Sequence, residues 1–417
     1  MRKYFRYRQG VPGKKGRYPS RGDVNLYATA LGIFLLQLTF TASSSAQSLV
    51  FKGQAIGWGV VSQMEELTGP SGSETATKVW RGQAGMRYLP ELQFTKPVKE
   101  NYSFDAEFSA NIYGSGLYWS SDSVIWDGKV KPYRAWVKFS GDQFELRAGL
   151  QKINFGSANM LRPLMWFDQI DPRDPLQLTD GVYSILGRYY FLNNANIWVW
   201  GLYGNDKLKG WEFIPSVRNK PEFGFRVQVP VAGGELATTY HYRVADVEEV
   251  MQIPHGENRY AREKRLALDG KFDYLLGLWF EATLIHQEIH IPEITWRRAL
   301  NLGADYTFGL GNGLNIMAEA FTMGSSDSPF GAGEDVYFTA LSANYPFSII
   351  NNLNGIIFYD WSNKEFYNFI NWSWQFDKWT FFIMGFWNPQ RFNLYQGLEG
   401  ANLYAGRGLQ FMIVFNH

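Results

Sequence analysis

Residues 102–113 read YSFDAEFSANIY, and their side chains alternate strictly between apolar and polar. Every even-numbered position is apolar, from Tyr102 to Ile112, and the positions between them carry Ser, Asp, Glu and Asn. A period of two is the side-chain period of a β-strand, so this stretch predicts a strand with one apolar and one polar face. In a soluble sheet the apolar face would pack on a core. In a membrane-spanning barrel it would face lipid, and Asp105 and Glu107 would face a lumen.

The same alternation recurs along the chain in segments of about ten residues, the length that a tilted strand needs to cross a bilayer. We predict about 18 strands, within a range of about 14 to 20, in a single antiparallel all-β barrel. They lie near 49–63, 78–94, 101–113, 130–140, 143–151, 182–191, 195–204, 222–231, 234–246, 262–275, 278–291, 297–308, 313–324, 335–346, 352–361, 365–376, 378–388 and 404–416.

The predicted connections alternate between short and long, and this pattern distinguishes a membrane-spanning barrel from a soluble sheet. Tight links at 140–142, 193–195, 232–234, 309–313 and 377–378 alternate with long ones at 64–77, 114–129, 152–181, 205–221, 247–261, 325–334 and 389–403. Two links of the second set, 292–296 and 362–364, are short exceptions. Short turns at one end and long loops at the other are typical of bacterial outer-membrane barrels, so we expect the apolar face of 102–113 to meet lipid. A soluble all-β protein is the less favoured alternative.

Composition is consistent with a barrel that has a polar lumen. Hydrophobic residues make up 46% of the 417-residue chain and its mean hydropathy is −0.25, as expected when lumen-facing polar residues dilute the apolar ones. Aromatic residues make up 17%, and amphipathic aromatic rings are enriched at membrane interfaces. The chain has no cysteine, which excludes disulfides and thiolate metal sites.

The amino terminus has the pattern of a secretory signal peptide. A basic segment precedes the apolar run LYATALGIFLLQLTF (26–40), and small residues follow at Ser44 and Ala46. This order predicts a signal peptide over 1–46, cleaved after Ala46, and a barrel over 47–417. A transmembrane anchor is the alternative, but the apolar run is shorter than the about 20 residues that a helical span needs.

Removal of this segment would change the net charge. Residues 1–46 hold eight Lys and Arg and one acid, so 32 bases and 38 acids remain, and the formal charge falls from +1 to −6. This balance gives no indication of a nucleic-acid partner.

Six charged residues on the polar faces of the second to fifth predicted strands are candidate pore-lining side chains: Arg81, Asp105, Glu107, Arg134, Lys138 and Arg147. One hypothesis is that they pair across strands and stabilise the wall. The other is that they form a transverse field that orients a polar solute. The near balance of charge favours pairing and gives no clear ion preference.

The segment LQKINFGSANMLRPLMWFDQIDPRDPLQLTDG (150–181) contains no long alternation. Ordered loops of this length are usually functional, so we expect 152–181 to fold into or over the barrel mouth with Trp166 and Phe167 against the wall. Its charged residues are then candidates for a constriction: Arg162, Asp168, Asp171, Arg173 and Asp174. The alternative is a rigid surface loop whose Asp side chains cap their own turns.

The stretch HQEIHIPE (286–293) places His286, Glu288 and His290 on one side of a predicted strand. Imidazole and carboxylate groups can bind a metal, but the spacing is no known motif and two histidines at the barrel rim are the favoured interpretation. We therefore predict no metal site. No histidine lies in a Ser/His/Asp pattern, and we predict no enzyme activity.

Together, the signal peptide, the alternating strands with sorted loops and the closing strand GLQFMIVFNH (408–417) resemble a Gram-negative outer-membrane porin. The segment LRAGLQKINFG…RPLMWFDQIDPRDPL (146–176) is also similar to a motif of porin-like barrels of Bacteroidota-type bacteria. The resemblance implies insertion by the barrel-assembly machinery and contact with outer-membrane lipid and lipopolysaccharide. It also implies passage of small hydrophilic solutes without a cofactor.

The expected function is a channel for passive or substrate-preferring diffusion of small hydrophilic solutes. A closed barrel that serves as an envelope anchor or assembly partner is the first alternative, and a barrel hydrolase is the second. The solute and the oligomeric state stay open at this point.

Overall fold

The computed structural model describes residues 48–68, 75–119, 123–248, 259–288, 294–390 and 403–417. The predicted signal peptide lies outside these residues. Within them the chain forms 18 strands: β1 (Ser48–Thr68), β2 (Thr75–Lys99), β3 (Tyr102–Trp119), β4 (Ser123–Ser140), β5 (Phe144–Gln151), β6 (Val182–Tyr190), β7 (Asn196–Leu202), β8 (Glu222–Val231), β9 (Gly234–Asp246), β10 (Tyr260–Asp273), β11 (Gly277–Gln287), β12 (Trp296–Phe308), β13 (Leu314–Ser326), β14 (Glu334–Ser348), β15 (Asn351–Asp360), β16 (Glu365–Gln375), β17 (Trp379–Trp387) and β18 (Arg407–Asn416).

Each strand pairs antiparallel with its neighbours in sequence, and β1 pairs with β18, so the sheet closes on itself. The closing ladder runs from Gln54 opposite Asn416 to Gln63 opposite Arg407. The prediction of one antiparallel barrel of 18 strands is confirmed. Closure pairs the backbone groups of every edge, which is the condition for a sheet to cross a bilayer.

The apolar face of 102–113 lies on the outside of the barrel. Phe104, Phe108 and Ile112 lie on the outside of β3, whereas Ser109 and Asn111 are buried inside the barrel.

The eight connections at one end hold two to five residues each, as expected for the periplasmic end. Aromatic pairs lie around this end, where they form an interfacial girdle: Tyr102 with Phe139, Tyr189 with Phe191, Tyr306 with Phe308, Tyr345 with Phe347, and Trp379 with Phe415.

The prediction of long loops at 64–77 and 114–129 is wrong, because most of these residues extend β1 to β4. β2 alone has 25 residues, against the about ten that a spanning strand needs. The glycines of 114–129 lie inside the β3–β4 ladder, where Gly116 is opposite Trp126. A Cβ on Gly116 would lie 3.0 Å from the Trp126 ring, so the ring covers the space that the missing side chain leaves.

A register shift in the β3–β4 ladder changes which β4 residues face the lumen. The pairing changes from Ser109 opposite Arg134 to Ala110 opposite Pro132, so Tyr133 is an extra residue on β4. Such a bulge reverses the inside–outside alternation beyond it. Strict alternation with the inward-facing Arg134 would place Tyr133 on the outer face, but Tyr133 packs with interior residues such as Ile56.

Two long connections at the opposite end fold into the barrel: residues 152–181, named here the inner loop, and 203–221, named the second inner segment. Leu161 and Met165 of the inner loop pack with Phe321 of β13 and Phe358 of β15 in one apolar cluster. Trp211 of the second inner segment stacks on Phe321 with ring centroids 5.0 Å apart. The barrel interior therefore contains a packed core on the side of β6 to β17.

Candidate functional site

The buried carboxylate of Glu319 on β13 anchors the inner loop to the wall. Its two oxygens accept the backbone N–H groups of 159–161 at 2.6–3.2 Å. They also accept Trp279 Nε1–H at 3.2 Å and Asn301 Nδ2–H at 3.1 Å. Five donors around one carboxylate replace its hydration shell, which is what allows a charge to be buried without a counterion in contact.

A second carboxylate holds the adjoining residues in the same way. Glu281 of β11 accepts the backbone N–H of Ala158 at 2.8 Å and that of Leu164 at 3.0 Å. Glu281 and Glu319 are both fully buried. Because the chain from 158 to 164 donates to two strands of the wall, β11 and β13, which are separated by β12, its path across the lumen is fixed.

Aromatic packing fixes the next part of the inner loop. Trp166 and Phe167 are buried, and the Phe167 ring lies edge-on to His241 of β9 with centroids 5.0 Å apart. His241 accepts Trp200 Nε1–H at Nδ1 (3.2 Å), so its Nε2–H donates to Glu222 (3.1 Å). The Trp166 and Phe167 side chains are thus buried at the wall, and the buried histidine is held by hydrogen bonds on both nitrogens.

Arg162 and Asp168 pair with each other inside the inner loop. Their side chains approach to 3.3 Å, and Arg162 also donates to the Phe155 carbonyl at 3.1 Å. Burial raises the pKa of Asp168, and the Arg162 guanidinium opposes that rise. At 5% and 2% exposure the two residues are part of the packed core, so they do not line the remaining lumen.

Ionic networks cover the wall beneath the inner loop and the second inner segment. Arg226 donates two hydrogen bonds to Asp269, at 2.6 and 2.8 Å. Glu263 lies within 2.9 Å of three guanidinium groups: Arg243, Arg265 and Arg297. On this side of the barrel interior the inward-facing charges neutralise one another.

On the other side of the inner loop a cavity of about 530 Å³, named here the lumen cavity, remains between the loop and strands β18 and β1 to β4. Its wall residues include Ile56, Trp58, Gln83, Arg87, Asn111, Tyr113, Lys129, Lys131, Tyr133 and Gln410. Its inner-loop residues include Gln169, Asp171, Arg173, Asp174, Leu176, Leu178 and Asp180.

The charges of the lumen cavity are segregated. The three carboxylates, Asp171, Asp174 and Asp180, belong to the inner loop, whereas the barrel wall contributes only cations: Arg87, Lys129 and Lys131. Arg173 and Lys207 bring the lining cations to five against three anions. A solute in this space therefore experiences a field directed from the wall to the loop, with a positive net charge around it.

Contacts between wall and loop hold these charges in place. Lys131 Nζ lies 2.9 Å and Lys207 Nζ 3.4 Å from the same Asp180 oxygen. Burial alone would raise the pKa of Asp180, but the two ammonium groups lower it below its ordinary value. Asp180 therefore stays ionised to lower pH than an ordinary aspartate.

The six predicted strand residues all lie on the inner face. Lys138 pairs with Asp105 at 3.2 Å, and Arg147 lies 3.9 Å from Glu145. Arg134 donates to the Thr179 carbonyl at 2.9 Å and so binds the wall to the inner loop. Arg81 is half-buried. Glu107 is also half-buried and forms no ion pair with any residue that the structure describes.

Of the five inner-loop candidates, the structure brings only Asp171, Arg173 and Asp174 to the lumen cavity. Arg173 donates to Asp171 at 2.8–3.0 Å from Nε. Asp174 accepts the backbone N–H groups of Leu176 and Leu178 at 3.0 and 3.1 Å, so it also caps its own turn. Burial raises the pKa of Asp174, and these hydrogen bonds act in the opposite direction.

Several lining residues were missed as site candidates. Trp58, Asn111 and Asp180 have the correct strand parity or loop position, but nothing in the sequence distinguishes them from other polar and aromatic residues. Lys131 was missed because the bulge at Tyr133 reverses the parity that places it inside.

The histidine segment does not form a metal site among the described residues. His286 stacks on Trp296 with centroids 4.3 Å apart, and Glu288 lies 3.0 Å from Lys264. His290 lies outside the described residues. No group of three His, Cys, Asp or Glu side chains suited to a metal ion occurs in the described part of the chain.

A closed antiparallel sheet with an apolar outer face, a polar inner face and an inward-folded loop defines a transmembrane β-barrel of the porin type. Among the residues described, no helix is long and apolar enough to cross a membrane.

Solved outer-membrane proteins share this architecture. The chain is similar to a loop-deletion mutant of OmpT, an outer membrane protein of Vibrio cholerae, with a TM-score of 0.47, 9% identity and coverage of 89% of this chain and 100% of that one. It is also similar to OccAB3 of Acinetobacter baumannii (TM-score 0.47, 9% identity, 88% and 99% coverage). The outer membrane channel DcaP of the same organism gives a TM-score of 0.46 at 11% identity, with 90% and 99% coverage. No family model and no curated protein matches the sequence. At this identity the likeness concerns the fold alone.

Proposed function

We propose that the chain is an outer-membrane channel for passive diffusion of small hydrophilic solutes. The observation that supports this most directly is the lumen cavity, a space of about 530 Å³ with charged, polar and apolar lining residues, which lies between a wall that carries cations and a loop that carries carboxylates. In this proposal residues 171–180 of the inner loop form the constriction, and the field across it orients the solute.

The proposed export, membrane insertion and lipid contacts of the chain are inferred from its sequence. Residues 1–46 would direct export and be removed, and the barrel-assembly machinery of a Gram-negative cell would insert 47–417. Lipopolysaccharide and lipid would contact the outer face. No cofactor or energy input takes part.

One observation favours a second function, that of a closed barrel used as an envelope anchor or assembly partner. The inner loop and the second inner segment pack into two large apolar clusters inside the barrel, so much of the lumen is filled with protein. Ion conductance distinguishes the two functions.

Because the chain contains no cysteine, a single introduced thiol can be modified selectively to test the channel function. The chain from Gln47 is refolded, checked for heat-shifted migration on a gel, and inserted in a planar bilayer. Asn111→Cys places a thiol in the lumen cavity, and a charged methanethiosulfonate reagent is expected to reduce its current. Met86→Cys, whose native side chain is 73% exposed on the outer face, is the matched control. A folded barrel without any conductance would support the closed-barrel function instead.

A further inference from the structure

The lumen cavity has two chemically different sides. Tyr113 of β3 lies in register between Arg87 of β2 and Lys129 of β4, and Asn111 lies opposite Lys131. Directly paired residues on one face of a sheet have Cβ atoms about 5 Å apart, so these side chains form one cationic patch. The second side is apolar and includes Ile56, Trp58, Leu176, Leu178 and Met412.

Arg87 is the cation of this patch that is oriented for a ligand. Its guanidinium carbon lies 5.1 Å from the centre of the Tyr113 ring, an arrangement that restricts the guanidinium and leaves its N–H edge available. It forms no ion pair with any described residue. Lys131, in contrast, is paired with Asp180, and Arg173 is paired with Asp171.

Two amide side chains on the same lumen face also have unsatisfied oxygens: Asn111, diagonal to Arg87 across the β2–β3 ladder, and Gln83, four residues along β2 from Arg87. Asn111 is 5% exposed, and its Oδ1 makes no hydrogen bond within the protein. Gln83 Oε1, on the same face of β2 as Arg87, makes none either, and nor does Arg87 Nε. Buried polar groups are normally paired, so Arg87 and Asn111 are suited to a polar ligand group, and Asn111 can turn its NH₂ group toward it, whereas Gln83 is available farther along the cavity wall.

From this arrangement we propose that the lumen cavity is a binding subsite for a small organic anion with a carboxylate head and an apolar body. The carboxylate binds the Arg87 edge beside Asn111, because a planar guanidinium matches a carboxylate in two parallel hydrogen bonds. The body lies against Trp58, Leu176 and Met412. The excess of cations over anions in the lining also favours a negatively charged ligand. This inference rests on the proposed channel function for its role, but binding itself does not require conductance.

The test uses three probes of known chemistry on the refolded chain. Benzoate has both parts, acetate lacks the apolar body, and benzamide lacks the charge. In a planar bilayer with chloride as the carrier, benzoate is expected to block the current saturably and more strongly than either of the others. Arg87→Gln is expected to weaken the block about tenfold or more, the equivalent of one charge-assisted hydrogen bond.

Arg188→Gln is the matched control, because it removes an inward-facing guanidinium that pairs with Glu145 at 2.8 Å and does not line the cavity. Equal block by the three probes, or an equal effect of the two substitutions, would overturn the inference while leaving the channel in place. If the barrel conducts no ions, the channel proposal fails. Calorimetric titration of benzoate into the detergent-solubilised wild type and into Arg87→Gln then tests the binding subsite without the channel. Equal affinity of the two proteins for benzoate would refute the subsite.

Discussion

Glu319→Gln is expected to loosen the inner loop without opening the barrel wall. The wild-type carboxylate accepts five N–H groups, three of them from the loop backbone at 159–161. An amide presents one oxygen and turns an NH₂ group toward the remaining donors. A hydrogen bond to a charged acceptor contributes roughly 1.5–3 kcal/mol. Loss of about two of them would weaken docking of the loop by about 3–6 kcal/mol, which raises the undocked population by about a hundredfold or more.

Trypsin cleavage after Arg173 measures this population. Arg173 is 3% exposed and pairs with Asp171, so the protease reaches it only when the loop leaves the wall. We expect faster cleavage at Arg173, identified by fragment mass, and increased current noise in the bilayer. The heat-shifted migration of the intact barrel is expected to persist.

Glu235→Gln is the matched control, since this inward carboxylate bonds to Gln228 of the neighbouring strand and not to the loop. If Glu319→Gln is cleaved at Arg173 no faster than Glu235→Gln, the inner loop is not held by Glu319. Its position would then depend on apolar packing.

Three further outcomes are expected. Because burial raises the pKa of Asp174, this carboxyl should take up its proton at higher pH than an ordinary aspartate, and the preference of the channel for anions should increase as the pH falls, as reversal potentials report; Asp174→Asn should reduce this increase. Lys131→Ala removes the nearer partner of Asp180 and should raise the pKa of that carboxyl. The increase in anion preference should then begin at higher pH than in the wild type. Gly210→Ala should speed cleavage at Arg173, because Gly210 has φ +40° and an added Cβ would lie 2.3 Å from the Met165 carbonyl oxygen.

The strand pattern was predictable because burial on one face of a sheet imposes a period of two. That rule puts Phe104 and Phe108 on one face and Asp105 on the other, and the sorting of the connections by length then predicts that the apolar face meets lipid. The period of two failed at Tyr133 and Lys131, since a bulge inserts a residue without any change in residue type that the sequence reveals. The prediction of a long loop at 114–129 was also wrong, because most of these residues extend the β3–β4 ladder, in which Trp126 covers Gly116.

The candidate site was predictable only in part. Asp168 and Asp171 lie three residues apart and look alike in the sequence, yet one is buried against Arg162 and the other lines the lumen cavity. Their difference depends on how Glu281 and Glu319, more than a hundred residues away, hold the backbone of 158–164. Contacts at such a separation follow from closure of the barrel.

The sequence by itself determined that the chain forms alternating strands, which face of each is apolar, and at which end the long connections lie. These properties are local, because each depends on residues within one strand or one turn. Only the tertiary structure decided which inward charges neutralise one another beneath the inner loop and which, as with Arg87, remain available in the lumen cavity. That division depends on the three-dimensional path of a thirty-residue loop across the barrel interior, which is set by the buried carboxylates and aromatic rings that it meets there.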